Sequence, residues 1–448
     1  MSDTDQPPEY RPVKKAHKAL GMWSMRRALT IAFSGASAIL VAAWFFVSWL
    51  LGSPPHAEPK PLDTAAQLDL LKLVFALVAG VGALVALVTA YRRQRVDEAA
   101  AERAERAQAH AERVAHDTAF DATERRVTEL YGQAVEQLGH DKAAVRLGGL
   151  YSLERLAQDH PQHRQTVVDV VCAYLRMPFK LPPPHRETEA TAPVPAADAV
   201  RQELQVRLAA QRLFHRHLTA PPGEESPITY WDGVLIDLTE AHLINFEFSR
   251  CRPARATFKG ARFSGDAWFR GVQFSDDAQF SDAQFSAGAF FEEVQFSGGA
   301  WFNEVQFSGG AWFDRGQFSS DVSFDGVQFS SDSSFNEVQF SDDARFYEVQ
   351  FSGDVSFDKA QFSGASCFNR AQFKREVSFD EVRFSGSTRF DDARFSGEAW
   401  FDGARFQREP DFASAEASHP NNNHVWPSPW QAVRMASDAD MAQLVRQE

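Results

Sequence analysis

Phe296 to Gln306 read FSGGAWFNEVQ. Phe302 follows Phe296 after six residues, and Phe307 follows after five more. Twenty-nine phenylalanines between Phe258 and Phe412 keep that alternation, so the sequence repeats every eleven residues. The residue two before each of them is Ala or Val in 24 cases, the exceptions being Gly316, Ser333, Ser366, Thr388 and Pro410. A small residue and a Phe at i−2 and i, with a polar residue between them, lie on one face of a very short strand. The polar residues after each Phe turn a corner. Such a unit cannot bury its apolar face alone and must stack on copies of itself, which makes a solenoid.

This A-x-F-x-x pattern resembles the pentapeptide-repeat family, and the resemblance implies a right-handed, four-sided β-helix with one pentapeptide per side. It extends over residues 231–412. Upstream, WDGVLIDLTEAHLINFEF already spaces Leu238, Leu243, Phe248 and Pro253 by five, as an entry coil. The chain departs from a strict five by one residue in every second side, so a coil takes 22 residues and Phe258 to Phe412 spans seven coils. At about 4.8 Å per coil, the spacing of hydrogen-bonded strands, the column is roughly 34 Å long. Four stacked columns of Phe are expected to fill it, each ring burying on the order of 150–250 Å². Family members often pair through their solenoid ends; here the end coil, Phe406 to Phe412, runs into a polar tail, which leaves homo-oligomerisation open.

The remainder of the 448 residues is of other character. The expected parts are a basic tail (1–27), a transmembrane helical hairpin (28–91), an α-helical adapter (92–218) with a Pro-rich linker at 178–197, the β-helix (231–412) and an irregular C-terminal tail (413–448), an α+β chain in several parts. Ala28 to Leu51 and Leu73 to Tyr91 carry no charge and are long enough to cross a bilayer. Ala76, Gly80, Ala79 and Ala83 put small residues where two helices can pack closely. Basic residues before the first span and after the second (Arg92, Arg93, Arg95), against Lys60 and Lys72 near the connection, place both termini in the cytoplasm of a bacterial cell, the protein being multi-pass in the inner membrane. Residues 94–138 have the Ala, Glu and Arg content of a long helix or coiled coil. Gly139 reads as a helix C-cap, Asp141 as an N-cap, His160-Pro161 as a helix start, and Arg201 to His217 as an amphipathic helix. This section resembles the juxtamembrane helical module that accompanies pentapeptide repeats in many bacterial membrane proteins, a resemblance that brings no known activity.

Chemistry-bearing motifs are missing from the sequence. There is no phosphate-binding loop, nucleophile elbow or HExxH pair, and Cys172, Cys251 and Cys367 make neither a disulfide framework nor a CxxC site. No cofactor, metal or catalytic residue is expected, and the reading is of a non-enzyme. His160 with His163, and His110 with His116, read as solvated polar positions.

What the repeat offers is a patterned surface. Two Gln ladders, Gln273 to Gln361 and Gln284 to Gln372 in steps of 22, read as amides bonded along the axis. One six-spaced side carries Trp268, Phe290 and Trp312, then Ser334, Ser356 and Ser378, then Trp400. The three adjacent aromatics form an apolar strip of the kind that marks an interaction surface. Beside it run Glu292 and Asp314, and Glu293, Arg315, Glu337 and Lys359. Residues 276–358 hold 16 acidic and 2 basic residues, so the middle coils are a negative rod. Trp268, Phe290 and Trp312 are therefore expected as apolar anchors, with Glu292, Glu293, Asp314 and Glu337 selecting a basic protein partner. The expected function is a membrane-anchored scaffold or binding protein. The alternative is mimicry of DNA, because some soluble pentapeptide-repeat proteins resemble B-form DNA in width and charge and inhibit DNA gyrase; a third reading is a membrane signal relay. Direct nucleic-acid binding is not expected, since a basic stripe is missing.

Overall fold

The computed structural model describes residues 25–50, 64–180, 194–219, 228–419, 423–435 and 438–447. Residues 1–24 of the basic tail and residues 51–63 of the connection between the expected spans lie outside them. The chain divides into two compact units, Met1–Ala119 and Phe120–Glu448. In the first, helix α1 covers Met25–Leu50, and helix α2, Thr64–Leu138, continues into the second. Among the described residues α2, from Phe75 on, is the one helix long and apolar enough to cross a membrane. The apolar stretch of α1 is shorter, Phe33–Phe46. Among the described residues one such helix is thus found where two were expected.

The second unit begins with a helical adapter: the end of α2, α3 (Ala143–Asp159), α4 (Arg164–Arg176) after a short 3₁₀ turn at Pro161–His163, and α5 (Val194–Leu218). Val127, Ala134 and Leu138 of α2 bury against Leu150, Leu153 and Leu156 of α3 and Val167, Val168 and Val171 of α4. Gly149 is the contact point of α2 and α3. A Cβ there would lie 2.6 Å from the Ala134 carbonyl and 2.7 Å from the Leu138 nitrogen. Asp141 is not the N-cap of α3. That position falls to Lys142, whose side chain makes no capping bond. The carbonyls of His140 and Asp141 are instead taken by Arg146, 2.8 Å each. The Pro-rich linker is also shorter than expected, because α5 starts at Val194 and accepts Pro195 in its first turn, where a missing N–H is harmless.

The repeat forms an eight-turn β-solenoid of 22-residue coils. All four sides stack in parallel register, for example Ala300 on Ala278 and Val322, and Gln306 on Gln284 and Gln328. The Phe columns start at Phe258, Phe263, Phe269 and Phe274. Successive rings of a column lie face to face at 4.3–5.4 Å, as in Phe263 on Phe285 and Phe351 on Phe373. Rings of the first and third columns meet edge to face across the interior, such as Phe302 and Phe313 at 5.6 Å and 88°. Of the 29 rings only Phe406, at the far end, escapes full burial.

Corner geometry explains the alternation of five and six. After each Phe of the first and third columns the chain makes a four-residue turn; Ala283 N–H bonds to Phe280 O at 3.0 Å, and Asp282 between them has φ +62°. This is a type II turn, which needs a left-handed residue at its third position. Asp282, Glu293, Glu304, Arg315, Glu337, Glu348, Lys359, Arg370, Glu381 and Asp392 all take it, with Gly260, Gly271, Gly326 and Gly403 in phase. Corners after the other two columns contain one residue more and no positive φ in the repeat beyond Gly265.

The C-terminal segment is not irregular. Glu416–Ser418 adds to one ladder, and Trp430–Met435 and Asp438–Arg446 form an antiparallel hairpin on it. Trp426 lies 5.2 Å from Phe395, and Trp430 lies 5.5 Å from Phe412. These indoles cover the last rings, which a bare final coil would leave in water. Tryptophans and alternating apolar residues, spread among Pro and Asn, carry this cap.

Two substitutions test this account. Asp282→Gly should be more stable than Asp282→Ala by about 1 kcal/mol, since only the alanine keeps a Cβ in the left-handed turn. Equal melting temperatures of the two variants would contradict the turn assignment. Gly149→Ala should destabilise the adapter by about 1–3 kcal/mol, the usual range for overpacking, measured by denaturant unfolding of the adapter.

Candidate binding surface

Trp268, Phe290 and Trp312 lie in one column of one ladder, as expected. Their rings are parallel, 6.2 Å apart for Trp268–Phe290 and 4.7 Å for Phe290–Trp312. Each is half-buried. The Trp312 ring folds back over its own strand, where a Cβ on Gly310 would come within 2.5 Å of it. Phe290 lies over Gly288 in the same way, at 2.8 Å. The strip therefore uses much of its ring surface internally and presents a ribbon of ring edges. Further along the column Ser334, Ser356 and Ser378 replace the rings and bond to Asp314, Asn336 and Asp358 of the preceding coil.

The flanking acids divide into two classes. Glu292 is mostly covered and bonded to Arg270 at 2.8 Å. Glu293 pairs with Arg315 at 2.9 Å, both more than half exposed. Asp314 accepts the Asn336 backbone N–H at 2.9 Å, and the same bond recurs up the column through Asn336 and Asp380. Asp380 is pushed above the usual carboxylate range by burial and then by Asp358, Asp402 and Glu381, against the N–H of Asp402 that it accepts. These side chains fasten coil to coil. Glu337, by contrast, is exposed, its carboxylate making no ion pair or hydrogen bond among the described residues, and the same holds for Asp282, Glu304 and Asp321. Of the four acids read as selecting a partner, the structure leaves one uncommitted.

The Gln ladders stand in register, but no hydrogen bond joins their amides among the described residues. The ladder is carried by the backbone, as in Gln306 N–H to Ala283 O at 3.0 Å. Because the corners fix the side-chain direction, the outward amides remain available to solvent. Beside the second ladder, Glu304, Glu348, Arg370 and Asp392 line a polar groove of about 450 Å³ with Gln328 and Gln350. There Arg370 reaches Tyr347 Oη at 2.7 Å and Glu348 at 3.0 Å.

Sequence reading missed the joint between adapter and solenoid. The first coil would expose two strand edges, and two glutamines close them. Gln165 of α4 bonds both the N–H and the carbonyl of Leu235, at 2.8 and 2.9 Å. Gln211 of α5 does the same for Ile244, at 2.9 and 2.8 Å. Each primary amide acts as one residue of an added strand. Nearby, Glu154 of α3 meets His217 at 2.7 Å and Arg216, while His217 stacks on Trp231 at 4.1 Å. A second buried group holds α4 to α5. Arg207 donates to Leu175 O, Met177 O and Glu203, and Tyr174 also donates to Glu203. The signal was in the helix pattern: Glu203, Arg207 and Gln211 occupy i, i+4 and i+8 on the buried stripe that continues with Phe214 and Leu218.

The repeat spacing, the four ladders and the Phe interior converge with a comparison against known families. The model described as pentapeptide repeats (9 copies) matches residues 238–284, 269–317, 317–361 and 368–416. Residues 238–416 are pentapeptide repeats. No curated protein and no solved structure matches the chain. In this pentapeptide-repeat domain Phe fills the interior throughout, and the alternation of five and six gives two kinds of corner.

The His217 hydrogen bond, with Arg216, holds the Glu154 carboxyl below its ordinary value of 4.5, against the desolvation of its site. A lowered carboxylate stabilises the fold above its unfolded value and loses that contribution as pH falls through the folded value. The melting temperature of the full chain should therefore fall below about pH 4.5, and Glu154→Gln should remove part of that acid limb. An unchanged acid limb in the variant would show that Glu154 does not couple to folding.

Proposed function

We propose that this protein is a membrane-anchored, non-enzymatic binding or scaffold protein that presents a rigid acidic solenoid to the cytosol. The observation that carries the reading is that the solenoid is fixed at every coil and closed at both ends, yet keeps Asp282, Glu304, Asp321 and Glu337 exposed and uncommitted. A surface with no internal freedom loses little entropy on binding. The apolar stretch of α2 supports a membrane anchor. A helical hairpin with the uncharged run 28–51 as its other arm, and the basic residues flanking the two, support an inner-membrane protein with both termini cytoplasmic. The partner is a basic protein surface, met by the uncommitted acids and the edges of Phe290 and Trp312. Dimerisation through the C-terminal end of the solenoid is disfavoured, since the hairpin covers that end.

A second reading, mimicry of DNA toward a DNA-binding enzyme, is favoured by the net charge of −14 over residues 276–358. The two readings separate experimentally. The quadruple variant Asp282→Asn, Glu304→Gln, Asp321→Asn, Glu337→Gln leaves every coil-to-coil carboxylate in place. It should melt as wild type does and lose capture of the partner in crosslinking pull-downs from native membranes. Trp312→Ala should also weaken capture in the scaffold reading and leave a DNA-mimic interaction intact. Full capture by both variants would overturn both readings. Release of the full chain from membranes by alkaline carbonate would remove the anchor.

A further inference from the structure

His217 sits in the last turn of α5, nearly fully buried, and joins three elements. Its Nδ1 lies 2.7 Å from the carbonyl oxygen of Thr229, and its Nε2 lies 2.7 Å from Glu154 Oε1. Its ring stacks on Trp231 at an interplanar angle of 8°, and its own carbonyl accepts the Trp231 N–H at 2.8 Å. Thr229 and Trp231 lead into the first coil, so His217 ties the solenoid to α3 and α5.

The partners decide the protonation of the ring. A backbone carbonyl can only accept. Glu154 Oε1 also receives Arg216, and a carboxylate so placed accepts from both. A neutral imidazole has one N–H and turns a lone pair on its other nitrogen. In this site it would satisfy one oxygen and face the other with a lone pair. The imidazolium alone donates to both.

We propose that the joint between helical adapter and solenoid is a proton-dependent latch, closed by the imidazolium of His217 and loosened when that ring loses its proton. Loosening frees Thr229 to Trp231 from α3 or α5 and uncovers the Trp231 indole, whose Nε1 is otherwise bonded to Gln158 at 3.1 Å. The doubly protonated ring makes one hydrogen bond more than the neutral ring can, to Thr229 O or to Glu154, so the joint is held more firmly while the ring keeps its second proton.

Other ionisable groups near the ring are Arg216 and His215 on α5, Glu154 on α3, Arg164 on α4, Tyr230 and Asp232 in the loop and Cys251 in the first coil. Arg164 donates to the Ile228 and Tyr230 carbonyls and holds the same loop. Burial, followed by Asp232, pushes Tyr230 above its ordinary range, and burial pushes Cys251 up as well. Both stay neutral where a histidine titrates. His215, within 3.3 Å of Thr219 Oγ1, is the group from which His217 has to be separated.

Hydrogen exchange of the full chain in detergent, from about pH 6 to about pH 9 with times scaled for intrinsic exchange, reads the latch directly. Protection of the Trp231 amide, which donates to the His217 carbonyl, should fall roughly tenfold or more over that range, the size of one lost charge-assisted hydrogen bond, while residues 296–306 stay unchanged. Glu154→Gln gives the bare Nε2 an amide N–H, so a neutral ring satisfies both partners and protection should hold across the range. His215→Gln should behave as wild type. In labelled-histidine NMR, the signal missing from His217→Gln should show two protonated nitrogens at the acid end. A flat wild-type profile, an equal fall in Glu154→Gln, a fall abolished by His215→Gln, or a singly protonated ring at the acid end would each overturn the proposal.

Discussion

Face-to-face stacking of phenylalanine on phenylalanine, one ring per coil in each of four columns, is the constraint from which the solenoid follows. The ring separation of 4.3–5.4 Å brackets the strand spacing of about 4.8 Å, so the side-chain stack and the backbone ladder share one register. A slip of one residue would break both at once. The edge-to-face contacts between first and third columns then lock the opposite sides together, an arrangement favoured by the ring quadrupole.

That register has a consequence for the surface. Every outward residue repeats after one coil, so like charges would stack on like charges unless the chain gave them something else to do. Asp314, Asn336 and Asp380 accept backbone N–H groups of the next coil, and Glu293 meets Arg315. Much of what looks like an acidic recognition surface is therefore fastening between coils. The charge left for a partner is the smaller set that the ladder does not use, and these positions stand mostly on corners, where Asp282, Glu304 and Glu337 hold left-handed conformations.

A stack of coils has two ends, and each end exposes strand edges and rings. The two ends are closed by different means. At the first coil, Gln165 and Gln211 supply amides that imitate a neighbouring strand, and the adapter is thereby joined to the repeats. At the last coil, an antiparallel hairpin extends one ladder while Trp426 and Trp430 cover the rings. The joint at the first end also gathers buried polar groups, among them Glu154, His217 and Arg207, which makes it the place where the adapter and the solenoid can influence each other.

The repeat was legible because its signal is periodic: 29 phenylalanines and their small i−2 partners specify the eleven-residue unit and the core positions without any long-range information, while the four sides and the 22-residue coil were implied by the resemblance to pentapeptide repeats. The helical adapter was legible in outline from apolar spacing. The aromatic column was placed correctly, and packing adds what the sequence could not show, that Gly288 and Gly310 let the rings of Phe290 and Trp312 lie against their own strands. The commitment of Glu292, Glu293 and Asp314, the end caps and the joint at His217 came from contacts between residues 12 to 70 positions apart, such as His217 with Thr229 and Leu235 with Gln165. Local sequence determined the coil, because stacking identical units needs only a repeat. The tertiary structure decided which polar groups are spent on holding the coils and ends together, because hydrogen-bond partners are chosen by proximity in space, and the repeat is silent about what meets it at either end.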